Sequence, residues 1–188
     1  TKPIELTVTR EVIKVQSVKS KLIEPGYGYL RITQFQEQTT ADVAKHLERL
    51  YKQGALKGLV LDLRNDPGGL LNSAIGVSAV FLPQKSLVVY TDGRTEDSKK
   101  KFYATPDDYM RGSNREDVLK NLPEAVKSVP MVVVVNGGSA SASEIVAGAL
   151  QAGLLVVGTL AAAGSLGTGI GNGHGGRPRS RQQRNESQ

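Results

Sequence analysis

The stretch VVVVNGGSASASEIVAGALQ, residues 132–151, decides how this chain is read. With Met131 before them, the four valines are too apolar for a strand that shows one face to water. MVVVV is therefore predicted as a strand buried on both faces. Asn136-Gly137-Gly138 breaks it, and a helix is expected from about Ser143 to Gln151. A strand that passes through a glycine turn straight into a helix puts the turn at the carboxyl edge of a sheet, where ligands of open α/β sheets bind. The first free N–H groups of the helix favour negative charge, whether a bound anion or a developing oxyanion. On this pattern three readings stay open. Ser139 or Ser141 caps the helix, which is the commonest use of serine there; one serine is a nucleophile; or the turn cradles an anion. A phosphate loop of the GxxxxGK[ST] kind fails, because no lysine follows the glycines.

Upstream, GLVLDLRNDPGGLLNSAIGVSAVFL (58–82) repeats the order of buried strand, glycine turn and apolar helix. Taken alone it reads as an ordinary connection with Asp62 and Arg64 paired. Two such turns on one sheet edge can supply amides from two directions, as an oxyanion hole needs. Around them, residues 4–23 alternate apolar and polar as strands do, and GYGYLRITQF (26–35) is another strand. TTADVAKHLERLYKQGA is the clearest helix, with Thr39 and Asp42 as a capping box, Val43, Leu47, Leu50 and Tyr51 on one face, and Gly54 at its end. SLVVYT and KFYA flank a polar turn as a strand pair. A short helix is expected at REDVLKNL (115–122), and a last strand at LLVVG (154–158). Strands alternating with helices indicate an α/β fold of parallel βαβ units plus extended strand pairs.

The composition excludes several chemistries. There is no cysteine, hence no disulfide, thiolate catalysis or cysteine-bound zinc. His46 and His174 are the only imidazoles, one on a helix among charges and one in a glycine-rich tail, so a Ser-His-Asp triad and a histidine metal site lack support. No cofactor or metal is expected. The net charge is +6, but Arg177, Arg179, Arg181 and Arg184 against Glu186 supply half of it. Residues 159–188 have no amphipathic period and are expected as a disordered tail. The basic end reads as solvated, with no nucleic-acid partner, and Gly171, Gly173 and Gly176 match GxGxxG only through low complexity. No apolar run is long enough to span a bilayer.

From Ile4 to Gln151 the chain resembles the C-terminal processing peptidases, the tail-specific serine proteases of peptidase family S41. GYGYLRITQF, GLVLDLRNDPGGLL and VVVVNGGSASASEIVAGALQ carry the resemblance, in the family's order. It implies a crotonase/ClpP-like protease core at 16–158 and hydrolysis near protein carboxyl ends by a Ser/Lys dyad. Ser141 would be the nucleophile, with the Ala142 amide and that of Gly68 or Gly69 as oxyanion hole. Substrates would be proteins or peptides with extended carboxyl termini. Residues 1–15 look like the last strand of a PDZ domain that is itself missing from the chain. An exported, periplasmic location is implied, and an oligomer is left open. The sequence departs from the family at the base. Counted without gaps from Ser141, the lysine position falls on Leu166 and its glutamine partner on Ile170; in a register set on LLVVG they fall on Gly164 and Thr168. The last lysine of the chain is Lys127, before the serine. Lys127 and His174 are the remaining candidates for the base, and the chain is expected to be inactive as written. A non-catalytic peptide binder using the same sheet edge, by strand addition along residues 26–35, is the alternative.

Overall fold

In a computed structural model, residues 16–92, 99–111, 116–153 and 156–161 are described. The order is β1 (Val18–Glu24), β2 (Tyr27–Ile32), α1 (Thr39–Tyr51), β3 (Gly58–Asp62), α2 (Leu71–Phe81), β4 (Leu87–Thr91), β5 (Lys100–Tyr103), α3 (Pro106–Tyr109), β6 (Met131–Val135), α4 (Ala142–Gly153) and β7 (Val156–Ala161). A five-stranded sheet runs β1-β2-β3-β6-β7, with β1 antiparallel to β2 and all other neighbours parallel. The strands β4 and β5 form a separate antiparallel pair. The expected class, parallel βαβ units with extended strand pairs, is the one observed.

The order of the parallel strands never reverses. Right-handed crossovers through α1, α2 and α4 therefore put all three helices on one face of the sheet. Leu59, Leu61 and Leu63, and Met131, Val133 and Val135, point into that layer and are buried. α2 runs through its centre, with every residue from Ser73 to Phe81 buried, between α1 and α4. Winding in one direction corrects one expectation. β3 and β6 are not buried on both faces, because Val60, Val132 and Val134 on the far side are only half-buried among the described residues. Their apolar character matches an interior parallel strand, paired on both sides within the sheet.

Four local expectations also change. Thr39 makes no cap: it is the first helical residue of α1, and its hydroxyl reaches back to accept the Gln36 N–H at 2.8 Å. Residues 118–121 form a turn, not a helix, with the Asp117 carboxylate accepting the Leu119 N–H at 3.0 Å. The last strand lies later than LLVVG and runs to Ala161, past the expected domain boundary at residue 158. β2 is paired on both sides, so strand addition along residues 26–35 is ruled out. The PDZ-like strand at 1–15, His174, and the tail beyond Ala161 lie outside the described residues, as do Leu166, Ile170, Gly164 and Thr168.

Candidate active site

Two turns meet at the carboxyl edge of β3 and β6. A reciprocal amide pair ties their entrances: the Asn136 Nδ2 donates to Asn65 Oδ1 and the Asn65 N–H donates to Asn136 Oδ1, both at 2.9 Å. Ser139 is buried, donates to the Leu63 carbonyl at 2.8 Å and accepts the Asn136 N–H at 2.9 Å. Ser143 is buried and donates to the Asp66 carbonyl at 3.1 Å. Two of the three serines thus serve the backbone of the turns.

Ser141 differs from both. It is exposed, and among the described residues its hydroxyl makes no hydrogen bond. Its φ is 52°, a left-handed conformation that side-chain-bearing residues seldom adopt. Ser141 and Glu144 have the S-x-x-E spacing of a capping box, but only the reverse half forms, the Glu144 carboxylate accepting the Ser141 N–H at 2.9 Å. An N-cap serine has extended backbone and turns its oxygen onto the helix. Here the backbone is left-handed and the hydroxyl accepts no helix N–H among the described residues, which disposes of the capping reading for this residue.

The amides around Ser141 are unevenly engaged. Ala142 opens α4, and its N–H donates to nothing among the described residues, at the positive end of the helix. Gly68 packs against the same point. A Cβ added to it would lie 2.8 Å from Ser141 Cβ and 2.9 Å from the Ala142 nitrogen, and its φ is 98°. The Gly68 N–H is taken by Asp66 Oδ1 at 2.8 Å, whereas that of Gly69 has no acceptor among the described residues. Of the two glycines left open by the sequence, Gly69 holds the free donor, and Gly68 supplies the close approach.

The nearby carboxylates differ in environment. Burial would raise the Asp62 carboxyl, but hydrogen bonds from the Arg64 guanidinium, the Tyr29 hydroxyl and the Arg64 amide outweigh it and hold it at about 2. The expected Asp62–Arg64 pair forms at 2.7 Å. Asp66 is pushed up to about 6 by burial, with the Gly68 N–H opposing. Neither Asp66 nor the Asn65–Asn136 pair was singled out in the sequence, and an aspartate directly before Pro-Gly-Gly carries little local signal.

Of the two candidate bases, His174 lies outside the described residues and Lys127 is not brought to the serine. Lys127 ends a short 3-10 turn at the amino end of β6, and Ser141 follows its carboxyl end. At about 3.3 Å per residue the strand alone separates them by roughly 13 Å, more than a lysine side chain spans. His46 stays on α1, bonded through Nδ1 to Ser20 Oγ at 2.7 Å, and burial lowers its pKa.

The sequence profile of peptidase family S41 matches residues 26–169. The chain belongs to peptidase family S41. The match begins later than Ile4 and continues past Gln151, where the sequence reading ended the likeness. This S41 chain is 41% identical over 153 residues to the carboxy-terminal-processing protease of Bartonella bacilliformis, covering 80% of itself and 31% of that protein. With the carboxyl-terminal-processing protease of Synechocystis it shares 40% over 153 residues, covering 79% of itself and 31% of the relative. It spans about a third of the length of these relatives. Among solved structures, the photosystem II D1 C-terminal processing protease superposes with a TM-score of 0.53 at 29% identity, over 77% of this chain and 36% of that one. An S41-type structure from Bacteroides fragilis, at TM-score 0.58 and 19% identity, covers 78% of this chain and 39% of its own and shares the fold. No helix among the described residues is long and apolar enough to cross a membrane.

Proposed function

We propose that this chain is the core of a serine endopeptidase that cleaves proteins near their carboxyl ends. Ser141 is its nucleophile, and the Ala142 and Gly69 amides, packed by Gly68, form the oxyanion hole. One observation carries the reading: an exposed, unbonded hydroxyl on a left-handed backbone, beside the unengaged Ala142 N–H and packed against Gly68, whose neighbour Gly69 has a second unengaged N–H. In the reaction, Ser141 Oγ bonds to the scissile carbonyl carbon and the π pair moves to oxygen, where the two amides receive it. Collapse expels the amine, which takes up the proton given up by the serine hydroxyl, and leaves an acyl-enzyme for water to hydrolyse. The substrates are proteins or peptides with extended carboxyl termini, met outside the cytoplasm in the periplasm or an equivalent exported compartment. A PDZ domain elsewhere in the whole protein captures their tails.

The serine proton needs an acceptor, and a lysine serves only when its amine is held neutral by burial. No lysine follows Ser141 in the sequence. This chain therefore holds a nucleophile and an anion cradle without the family's base, and its turnover is absent or lower by ~10³ or more. The same observation favours a second reading, a peptide binder that no longer cleaves. Turnover of a disordered protein by the folded chain, beside Ser141→Ala, is the test. We expect no cleavage by either. Cleavage lost in the variant establishes the nucleophile and shows that a base exists, with His174 the next substitution. Cleavage retained in the variant removes Ser141 from the mechanism, and peptide affinity without turnover favours the binder.

A further inference from the structure

Asp66 stands directly before the Pro67-Gly68-Gly69 turn, and no step above uses it. Its side chain is fully buried. Oδ1 accepts the Gly68 N–H at 2.8 Å, while the main-chain carbonyl accepts the Ala140 N–H at 3.0 Å and the Ser143 hydroxyl at 3.1 Å. One residue thus grips both turns, the glycine turn through its carboxylate and the serine turn through its carbonyl. The other carboxylate oxygen, Oδ2, is buried with no hydrogen-bond partner. Holding Gly68 needs a single acceptor, which a neutral side chain can provide. A buried carboxylate with an orphaned oxygen costs stability, and such exceptions call for a reason.

We propose that Asp66 is a positioning residue of the oxyanion cradle: by drawing the Gly68 N–H inward, its carboxylate sets the Gly69 N–H outward beside that of Ala142. The inference rests on the reading of Ser141 and its amides as the reacting site. A charge-assisted hydrogen bond is roughly twice as strong as a neutral one, so the grip on Gly68 is tight when the carboxyl is ionised and slack when it is protonated. Gly68 touches both Ser141 and Ala142, so slack in the glycine turn reaches the serine turn. Burial puts this change at about pH 6. No other charge is bonded to Asp66. On its own segment Asp62 and Arg64 bond to each other, α2 carries no charged residue, and the one charge on α4, Glu144, is bonded to the Ser141 N–H. The segment from Thr33 to Gln38 that pairs with Gly69 contributes Glu37 alone, which has a partner of its own.

The test is amide NMR on the 15N-labelled chain from about pH 7.5 to about pH 4.5, a span that brackets the titration of a raised carboxyl. We expect the Gly68, Gly69 and Ala142 signals to move together with a shared midpoint at about 6. In Asp66→Asn, whose neutral Oδ1 accepts from Gly68 without charge assistance, the three signals should lose their pH dependence and lie near the low-pH positions of the wild type throughout. Titration of Gly68 alone, with Gly69 and Ala142 still, reduces Asp66 to a cap of its own turn and overturns the proposal. So does the absence of any titration in this span. Should Asp66→Asn fail to fold, the wild-type titration decides by itself. None of these signals requires turnover, so failure of the nucleophile assignment in the cleavage assay is read separately.

Discussion

At position 141 the side chain and the backbone make opposite demands. The chemistry proposed above needs a hydroxyl, while a φ of 52° suits glycine. A left-handed conformation costs an L-residue about 1–2 kcal/mol, and glycine's greater freedom in the unfolded chain returns roughly 0.5–1 kcal/mol of that. Ser141→Gly should therefore be more stable than Ser141→Ala by about 0.5–1 kcal/mol in urea unfolding. Equal stabilities, or a more stable alanine variant, would show that the left-handed turn carries no strain. At Gly68, an added Cβ meets the Ala140 oxygen at 2.7 Å as well as Ser141 and Ala142, on a backbone at φ 98°. Gly68→Ala should cost about 2–3 kcal/mol, the range of overpacking combined with backbone strain. Gly137 has open space around it and serves as the control, with Gly137→Ala expected within about 0.5 kcal/mol of wild type. A penalty at Gly137 as large as that at Gly68 would refute the close approach of the two turns.

The end of β3 and the turn after it carry two carboxylates whose effects on stability oppose each other. Asp62 has a folded pKa of about 2, below its ordinary 3.8, so the stability it gives is full above the ordinary value and is lost as pH falls toward 2. Asp66 has a folded pKa of about 6, above its ordinary 3.8. Between those two values the folded chain binds more protons than the unfolded one, so stability falls as pH rises through that window. Thermal unfolding against pH should show Asp66→Asn removing the decline between about pH 4 and pH 6 while leaving the acid limb that belongs to Asp62. A decline that persists in the variant would assign it to another group. At this scale much was legible in the sequence. The largely apolar α2 and the strand type of the valine run β6 announce themselves in composition. Thr39 misled because a threonine before a helix bonds to whichever backbone group lies near, and the loop at Gln36 competes with the first turn. Residues 118–121 have helical propensity, but Asp117 bonds the local backbone and holds a turn.

Across the whole molecule, the sheet winds in one direction from β2 to β7 and keeps its helices on one side. Strand order is a choice among distant neighbours and leaves no mark on local pattern. Val60, Val132 and Val134 therefore read as doubly buried although they are half open. The candidate site was legible for a related reason. Its glycines and serines sit in long, specific segments, GLVLDLRNDPGGLL and VVVVNGGSASASE, whose residue types are dictated by turn geometry. What joins those segments was not legible. The Asn65–Asn136 pair and the double grip of Asp66 arise only when β3 and β6 lie side by side, and without the family resemblance Ser139 and Ser143 are told from Ser141 only by what they touch.

Asn136 is followed by glycine, the neighbour whose main-chain nitrogen most readily attacks an asparagine side chain and releases ammonia. In this fold the Asn136 amide is restrained on both sides, its Nδ2 by Asn65 Oδ1 and its oxygen by the Asn65 and Gly138 N–H groups. Those bonds restrict the side-chain rotation that such an attack requires. Hydrolysis there would set a carboxylate oxygen against the Asn65 oxygen, acceptor facing acceptor, and push the two turns apart. The pair that aligns the site is thus also what guards it against slow chemical ageing.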